Sequence, residues 1–183
     1  MARRVITTVG CPEWAGLFTG FTSSAFRLEG LQHYTAADEQ EAFARFQAGL
    51  DPGVDLSWWC GLARGHRAAG RRMARVRVVA EPLTDYTRFE LAHFPAFVEA
   101  GDDIRVIPVA SGAWPRGLPR HDFWLFDDHE VWILAYDRAG TFLKAELHKD
   151  RRTVTDHLRW REAATRLAIP LREYIATPAR QAF

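Results

Sequence analysis

Hydrophobic and polar positions change period several times along this chain, and each change marks an element. From Ser24 toward Tyr34, Phe26 and Leu28 alternate with polar residues, a strand pattern that puts Arg27 and Glu29 on the opposite face. Thr35 is a good N-cap, with Asp38, Glu39 and Glu41 following where carboxylates favour the helix dipole. Phe43, Phe46 and Leu50 then recur at helical spacing, which predicts a helix over 36–50 that ends at Asp51-Pro52-Gly53. A second helix over 56–69 carries Trp58, Trp59 and Leu62 and closes at Gly70. Residues 71–80 alternate basic and apolar side chains and read as a strand leading into Glu81-Pro82, because proline cannot continue a central ladder. Thr84 caps a further helix to Ala100 with Gly101 as its stop, and Pro95 predicts a kink or break near His93.

The second half is strand-rich. A short apolar strand over 103–109 precedes a Gly/Pro loop over 110–119, then strands follow over 123–126, 131–136 and 141–147. Asp137-Arg138-Ala139-Gly140 is a credible hairpin turn between the last two. A closing helix over 154–167 leads to a final helical turn from Pro170 through Ile175. The opening segment is Gly/Thr-rich with scattered aromatics at Trp14, Phe18 and Phe21 that suit a short helix; residues 1–20 are expected to be loosely ordered, and 177–183 to form a fraying tail. Strand-helix-strand order implies right-handed parallel crossovers, and the terminal run of strands implies an antiparallel addition. The expected fold is α/β, a mixed sheet with helices on both faces, in one domain over 1–183.

Composition adds limits to this frame. Hydrophobic content of 48% is ample for a single core, and 24 Lys+Arg against 23 Asp+Glu gives a formal net charge of +1. That balance supplies no bulk electrostatic attraction to nucleic acid or membrane, so neither is an expected partner. Seven Trp and twelve Phe are many for this length, and part of that surplus is expected in a groove or at a partner surface, a homodimer included. Cys11 and Cys60 have no metal-type spacing and read as thiols; neither a metal nor a cofactor is expected. The N-terminus lacks an apolar signal core and no stretch approaches about 18 apolar residues, so the expected location is cytoplasmic.

Three constellations carry candidate chemistry. The stretch from Leu118 to Asp137 holds His121, Trp124, Asp127 and Asp128 among five aromatic residues. His121 is either a solvated loop histidine or an acid/base group; Asp127 and Asp128 either make a tight turn or present Asp128 to a histidine or polar ligand. The second set is Arg75, Arg77, Glu81, Asp85, Arg88 and Glu90. Asp85 and Arg88 can pair on a helix while Glu81 and Thr84 satisfy its first amides. Alternatively this strand end and helix start form one wall of a cleft, with Arg75 and Arg77 toward an anionic small molecule. Trp58-Trp59 with Arg64, His66, Arg67, Arg71 and Arg72 suits single-strand stacking, or equally one buried indole beside a solvated basic helix end.

The segments RVRVVAEPLTDYTRFEL, from Arg75 to Leu91, and DFWLFDD, from Asp122 to Asp128, resemble an actinobacterial family of unknown function whose members are often encoded near helix-turn-helix regulators. The resemblance spans about Phe21 to Tyr174 and implies a helix-turn-helix partner. A more distant likeness is to the phospholipase D superfamily, whose motif is His, any residue, Lys, four residues, Asp; His121, Phe123 and Asp128 fall at that spacing with Phe in the lysine position. Catalysis in that superfamily joins two such motifs, with a histidine attacking phosphorus and lysines holding phosphate oxygens. One motif without its lysine implies a degenerate, phospholipase D-like half-domain that serves as a non-catalytic ligand-sensing or protein-interaction module. The alternative is an enzyme on a phosphorylated or nucleotide-like substrate with His121 and Asp128 as its catalytic pair and Arg75 or Arg77 as anion clamp.

Overall fold

Which strands lie at the centre of the sheet is set by where apolar side chains occupy both faces. In the computed structural model, which describes residues 4–177, that place is taken by the run Phe123–Phe126, buried at every position, beside β2 (Ser24–Glu29), from which β3 (Arg72–Glu81) and β4 (Asp102–Ala110) continue in parallel. Chain order around them is β1 (Val5–Ile6), α1 (Pro12–Gly20), β2, α2 (Gln40–Gln47), α3 (Ser57–Ala68), β3, α4 (Asp85–Ala100) and β4. Then come β5 (Phe123–Phe126), β6 (Glu130–Tyr136), β7 (Phe142–His148), α5 (Arg151–Leu167), β8 (Ile169–Pro170) and α6 (Leu171–Ile175). All eight strands form one sheet in the order β1-β7-β6-β5-β2-β3-β4-β8, and every strand pairing other than β2 with β3 and β3 with β4 is antiparallel. The expected α/β architecture with a mixed sheet is therefore present.

Strand alternation divides the core in two. Phe26, Leu28, Val76, Val78, Phe123 and Leu125 pack with Ala164 and Leu158 of α5 on one face. Ala25, Met73, Trp124, Phe126, Trp132 and Leu134 pack with Trp14 and Phe18 of α1 and Cys60 and Ala63 of α3 on the other. Farther along that second face, Val79 and Val106 meet Leu91 and Phe94 of α4.

Several boundaries differ from expectation for identifiable reasons. The strand from Ser24 stops at Glu29 because the Gly30 amide turns to the Asp122 carboxylate (2.8 Å). The helix expected over 36–50 shortens to α2: Thr35 does not cap it, since its hydroxyl donates to the Ala139 carbonyl (2.7 Å) and its amide to Gly140 (3.0 Å). Gly140 has φ +85°, and a Cβ there would collide with the His33 carbonyl, so only glycine allows this contact. Thr84 does cap α4, through Thr87 N (3.1 Å). Pro95 does not break α4, whose Leu91, Phe94 and Phe97 hold both sides of the proline against the sheet. The opening segment is more ordered than expected: β1 pairs with β7, and α1, started by Cys11 Sγ accepting from Trp14 N, buries Trp14 and Phe18. Of the tail, residues 178–183 lie outside the described residues.

Leu28 is fully buried between β3 and β5 in the α5-side core. Leu28→Ala is expected to lower stability by about 2–5 kcal/mol, whereas Leu143→Ala, at a side chain 51% exposed, changes it by less than about 0.5 kcal/mol. Equilibrium urea unfolding checks both.

Candidate ligand-binding site

Because β2 and β3 run parallel in register, Arg27 lies beside Arg75 and Glu29 beside Arg77, all four on the α1/α4 side of the sheet. A strand at a sheet edge would send these groups to water; here helices cover them. Arg77 is completely buried, Glu29 is 2% exposed and Arg75 8%. A guanidinium cannot shed its proton in a protein, so each must find carboxylates. Arg27 Nε lies 2.7 Å from Glu29 Oε1, and Arg75 reaches both Glu29 Oε1 and Asp102 Oδ2 at 3.4 Å. Arg77 donates to Glu90 Oε2 from Nη2 (2.6 Å) and Nε (3.1 Å). Aromatic faces complete the sandwich: Arg27 lies over Trp124, Arg75 over Trp59 and Phe94, and Arg77 over Tyr34, each 5.2–5.4 Å from the ring centroid.

More polar groups join from distant segments. Asp122 accepts from the Tyr34 hydroxyl and lies 3.8 Å from Arg27. Tyr86 donates to Glu39 (2.7 Å), the Tyr136 hydroxyl lies 3.4 Å from Arg27 Nη2, and Trp59 Nε1 donates to Asp102 (3.1 Å). Burial alone would raise the Glu29 carboxyl, but Arg27, Arg75 and Arg77 outweigh it and hold Glu29 below its ordinary range, so it stays ionised. At Glu90 the balance is opposite: burial pushes it up to about 7 against the pull of Arg77. Burial likewise raises Glu39, Asp102 and Asp122.

Beside this row opens a cavity of about 660 Å³, within the size range of small-molecule sites. Its wall carries Arg27, Arg75, Glu29, Glu39 and Glu90, with Asp38 and His93 near them, and rings from Trp14, Tyr34, Tyr86, Phe89, Phe94, Phe97, Tyr136 and Phe142. Burial lowers His93, so it adds no charge near neutrality. Two guanidiniums therefore face four carboxylates. Glu29 Oε2 is buried and has no hydrogen-bond partner among the described residues. Glu29 thus brings to the cavity wall an ionised carboxylate with one oxygen that no protein group satisfies.

The residues singled out from sequence fall in three places. Arg75 and Arg77 belong to the charged row, with Glu90, and Arg75 lines the cavity. Trp124 is 2% exposed, stacked on Phe126 beneath Arg27, and supports the row from the core. Glu81 accepts from the Tyr174 hydroxyl (3.0 Å), and Asp85 pairs with Arg88 on the surface (3.1 Å). His121 and Asp128 flank opposite ends of β5. The Nε2 atoms of His121 and His157 are 3.2 Å apart, and His157 Nδ1 donates to Thr153 O, so His121 is the donor to its neighbour. Burial, with His157 and His148 adding to it, pulls His121 down to about 4, which leaves it neutral. Asp128 pairs with Arg161 instead. Asp127, at φ +49° in the turn, accepts from the amides of Thr22, Ser23 and Ser24 (2.7–3.0 Å); these outweigh its partial burial and hold it well below the carboxylate range. Trp59 is largely interior and Trp58 is 52% exposed. Among the described residues no three His, Cys, Asp or Glu are grouped to hold a metal ion, and no helix is long and apolar enough to cross a membrane.

The sheet and its charged interior define a mixed α/β domain with a cavity of about 660 Å³ beside a buried row of charges. The model of DUF6879, a domain of unknown function, matches residues 12–176, and the chain belongs to that family. No curated relative matches. Among solved structures the chain is similar to TrmBL2, an archaeal chromatin protein described as showing a novel mode of DNA binding, with 11% identity and a TM-score of 0.50. The match covers 92% of this chain and 54% of that one, so the chain spans about half the length of its structural relative.

Removing one partner of a buried pair leaves the other uncompensated, and a carboxyl can take a proton where a guanidinium cannot give one up. Glu90→Leu is therefore expected to cost about 3–5 kcal/mol, Arg77→Met less, and the double variant to recover most of the loss. Urea unfolding of the three variants measures this.

Proposed function

We propose that this domain is a cytoplasmic, phospholipase D-like ligand-sensing module that binds a small amine-bearing molecule in its interior cavity and reports it to a helix-turn-helix partner. The observation that carries this reading is Glu29: ionised, buried, and with one oxygen unpartnered beside a cavity of about 660 Å³. A cation is attracted both by carboxylates in a low-dielectric wall and by the faces of tyrosines such as Tyr34, Tyr86 and Tyr136. An anion, the class that Arg75 and Arg77 suggest in isolation, would meet guanidiniums already shared with Glu29, Asp102 and Glu90, although Arg75 Nε itself has no hydrogen-bond partner among the described residues. The catalytic alternative needs His121 and Asp128 together, and the two engage His157 and Arg161 separately. The regulatory part of the proposal draws on the fold shared with a chromatin protein whose described property is DNA binding.

A thermal-shift screen compares phenethylamine and putrescine with phenylacetate and succinate, since a ligand that binds only the native state raises its melting temperature. The amines are expected to stabilise the protein and the carboxylates not. Affinity should rise from about pH 6 to about pH 8, because Glu90, held up near 7, becomes the carboxylate that favours a cation. Glu29→Gln is expected to abolish the shift, and Glu39→Gln, at a partly exposed rim position where the amide oxygen can still accept from the Tyr86 hydroxyl, to weaken it in a protein that folds normally. Carboxylates stabilising more than amines, or both variants responding as wild type, would refute the proposal.

A further inference from the structure

A second concavity, about 880 Å³, lies at the amino ends of β2, β3 and β4. Its rim is arginine-rich: Arg67 and Arg71 from the end of α3 and the turn after it, Arg72 and Arg105 from strands, Arg161 and Arg166 from α5. With Arg75 below them, seven guanidiniums line the groove against three carboxylates, Asp102, Asp103 and Glu162, in a chain whose formal net charge is only +1. Arg161 is paired with Asp128, and the groove still holds more guanidiniums than the carboxylates that answer them.

Those carboxylates are already engaged. Asp102 accepts from Trp59 and Arg75, Asp103 from Arg105 (3.2 Å), and Glu162 lies 3.9 Å from Arg166. Arg71 donates to the Phe21 carbonyl (2.9 Å). Arg67 and Arg72 have no carboxylate within ion-pair distance among the described residues. Arg67 is nonetheless held in place: its methylene stem lies against Gly101 at the α4–β4 turn, so closely that a Cβ there would stand 2.9 Å from Arg67 Cδ. A guanidinium on an anchored stem loses less freedom on binding than a mobile surface one.

We infer that this groove is a binding site for a phosphate-bearing small molecule of nucleotide size, with Arg67 and Arg72 as the groups that take its phosphate oxygens. Guanidinium forks match phosphate geometry in two-point contacts, and several around one concavity suit a ligand with more than one phosphate. Ala74 and Val98, partly exposed in the groove, offer apolar surface to the remainder of such a ligand. The site stands apart from the amine proposal, since its chemistry and its residues, Arg75 excepted, are different.

The test is titration calorimetry of the whole protein with ATP, with inorganic tripolyphosphate and with a short single-stranded oligonucleotide. ATP and tripolyphosphate are expected to bind, and Arg67→Ser/Arg72→Ser to weaken each by about tenfold or more. Tighter binding of ATP identifies a nucleotide, and equal binding identifies the phosphate chain alone as the recognised group. Arg67 and Arg72 are exposed and, among the described residues, outside any ion pair, so the double variant should fold, its melting temperature lowered only by the packing of the Arg67 stem on Gly101; Arg64→Ser, exposed and outside the groove, should bind as wild type. The inference is overturned if neither phosphate compound binds, if the double variant binds them as tightly as wild type, or if the oligonucleotide alone binds.

Discussion

Three guanidiniums inside a sheet are the constraint on which the rest of this molecule depends. Arg27, Arg75 and Arg77 stay charged wherever they are placed, and a buried unpaired charge is costly enough to prevent folding of a domain with ordinary marginal stability. Glu29, Asp102 and Glu90 answer them from β2, β4 and α4, and Asp122 adds a fourth carboxylate from the start of β5. Meeting that requirement fixes much of the topology. The parallel register of β2 and β3 brings Glu29 beside Arg77; α4 must bring Glu90 over β3; Asp122 must reach both the Gly30 amide and the Tyr34 hydroxyl.

Replacing buried ion pairs with apolar residues of similar volume is often neutral or stabilising, so a network of this size is a poor device for stability alone. Its persistence beside a cavity agrees with a binding role. The molecule is also electrically divided: carboxylates outnumber guanidiniums around the interior cavity, while arginines dominate the groove at the amino ends of the strands, and Arg75 lines both.

Much of the fold was legible because local signals and tertiary packing agree. The limits of β5 follow from its apolar run, and α4 from Thr84 and Gly101. The start of α2 was not legible, because Thr35 is drawn away by a contact about a hundred residues distant in sequence. The charged row was half visible: Arg75, Arg77 and Glu90 stand out, but Arg27 and Glu29 read only as the face opposite Phe26 and Leu28, with no partner assigned to them. Alternation assigns side chains to faces, but which carboxylate meets which guanidinium depends on the pairing of β2 with β3 and on the helix laid over them. Tyr34, Tyr136, Glu39 and Asp122 reach the site through long-range topology that no local pattern encodes. His121 and Asp128 show the converse, since their spacing in sequence is spanned by an extended strand that separates them, a distance that a motif read along the sequence does not convey.

A crystal structure of the protein grown with phenethylamine tests the central claim most directly. The account predicts the ligand nitrogen within hydrogen-bonding distance of Glu29 Oε2, its ring among Tyr34, Tyr86 and Tyr136, and the Arg27 and Arg75 pairings to Glu29 intact. Ligand bound at another site, or Glu29 Oε2 satisfied by a protein donor with the cavity closed around it, would contradict the claim that this buried carboxylate is there to receive a cation.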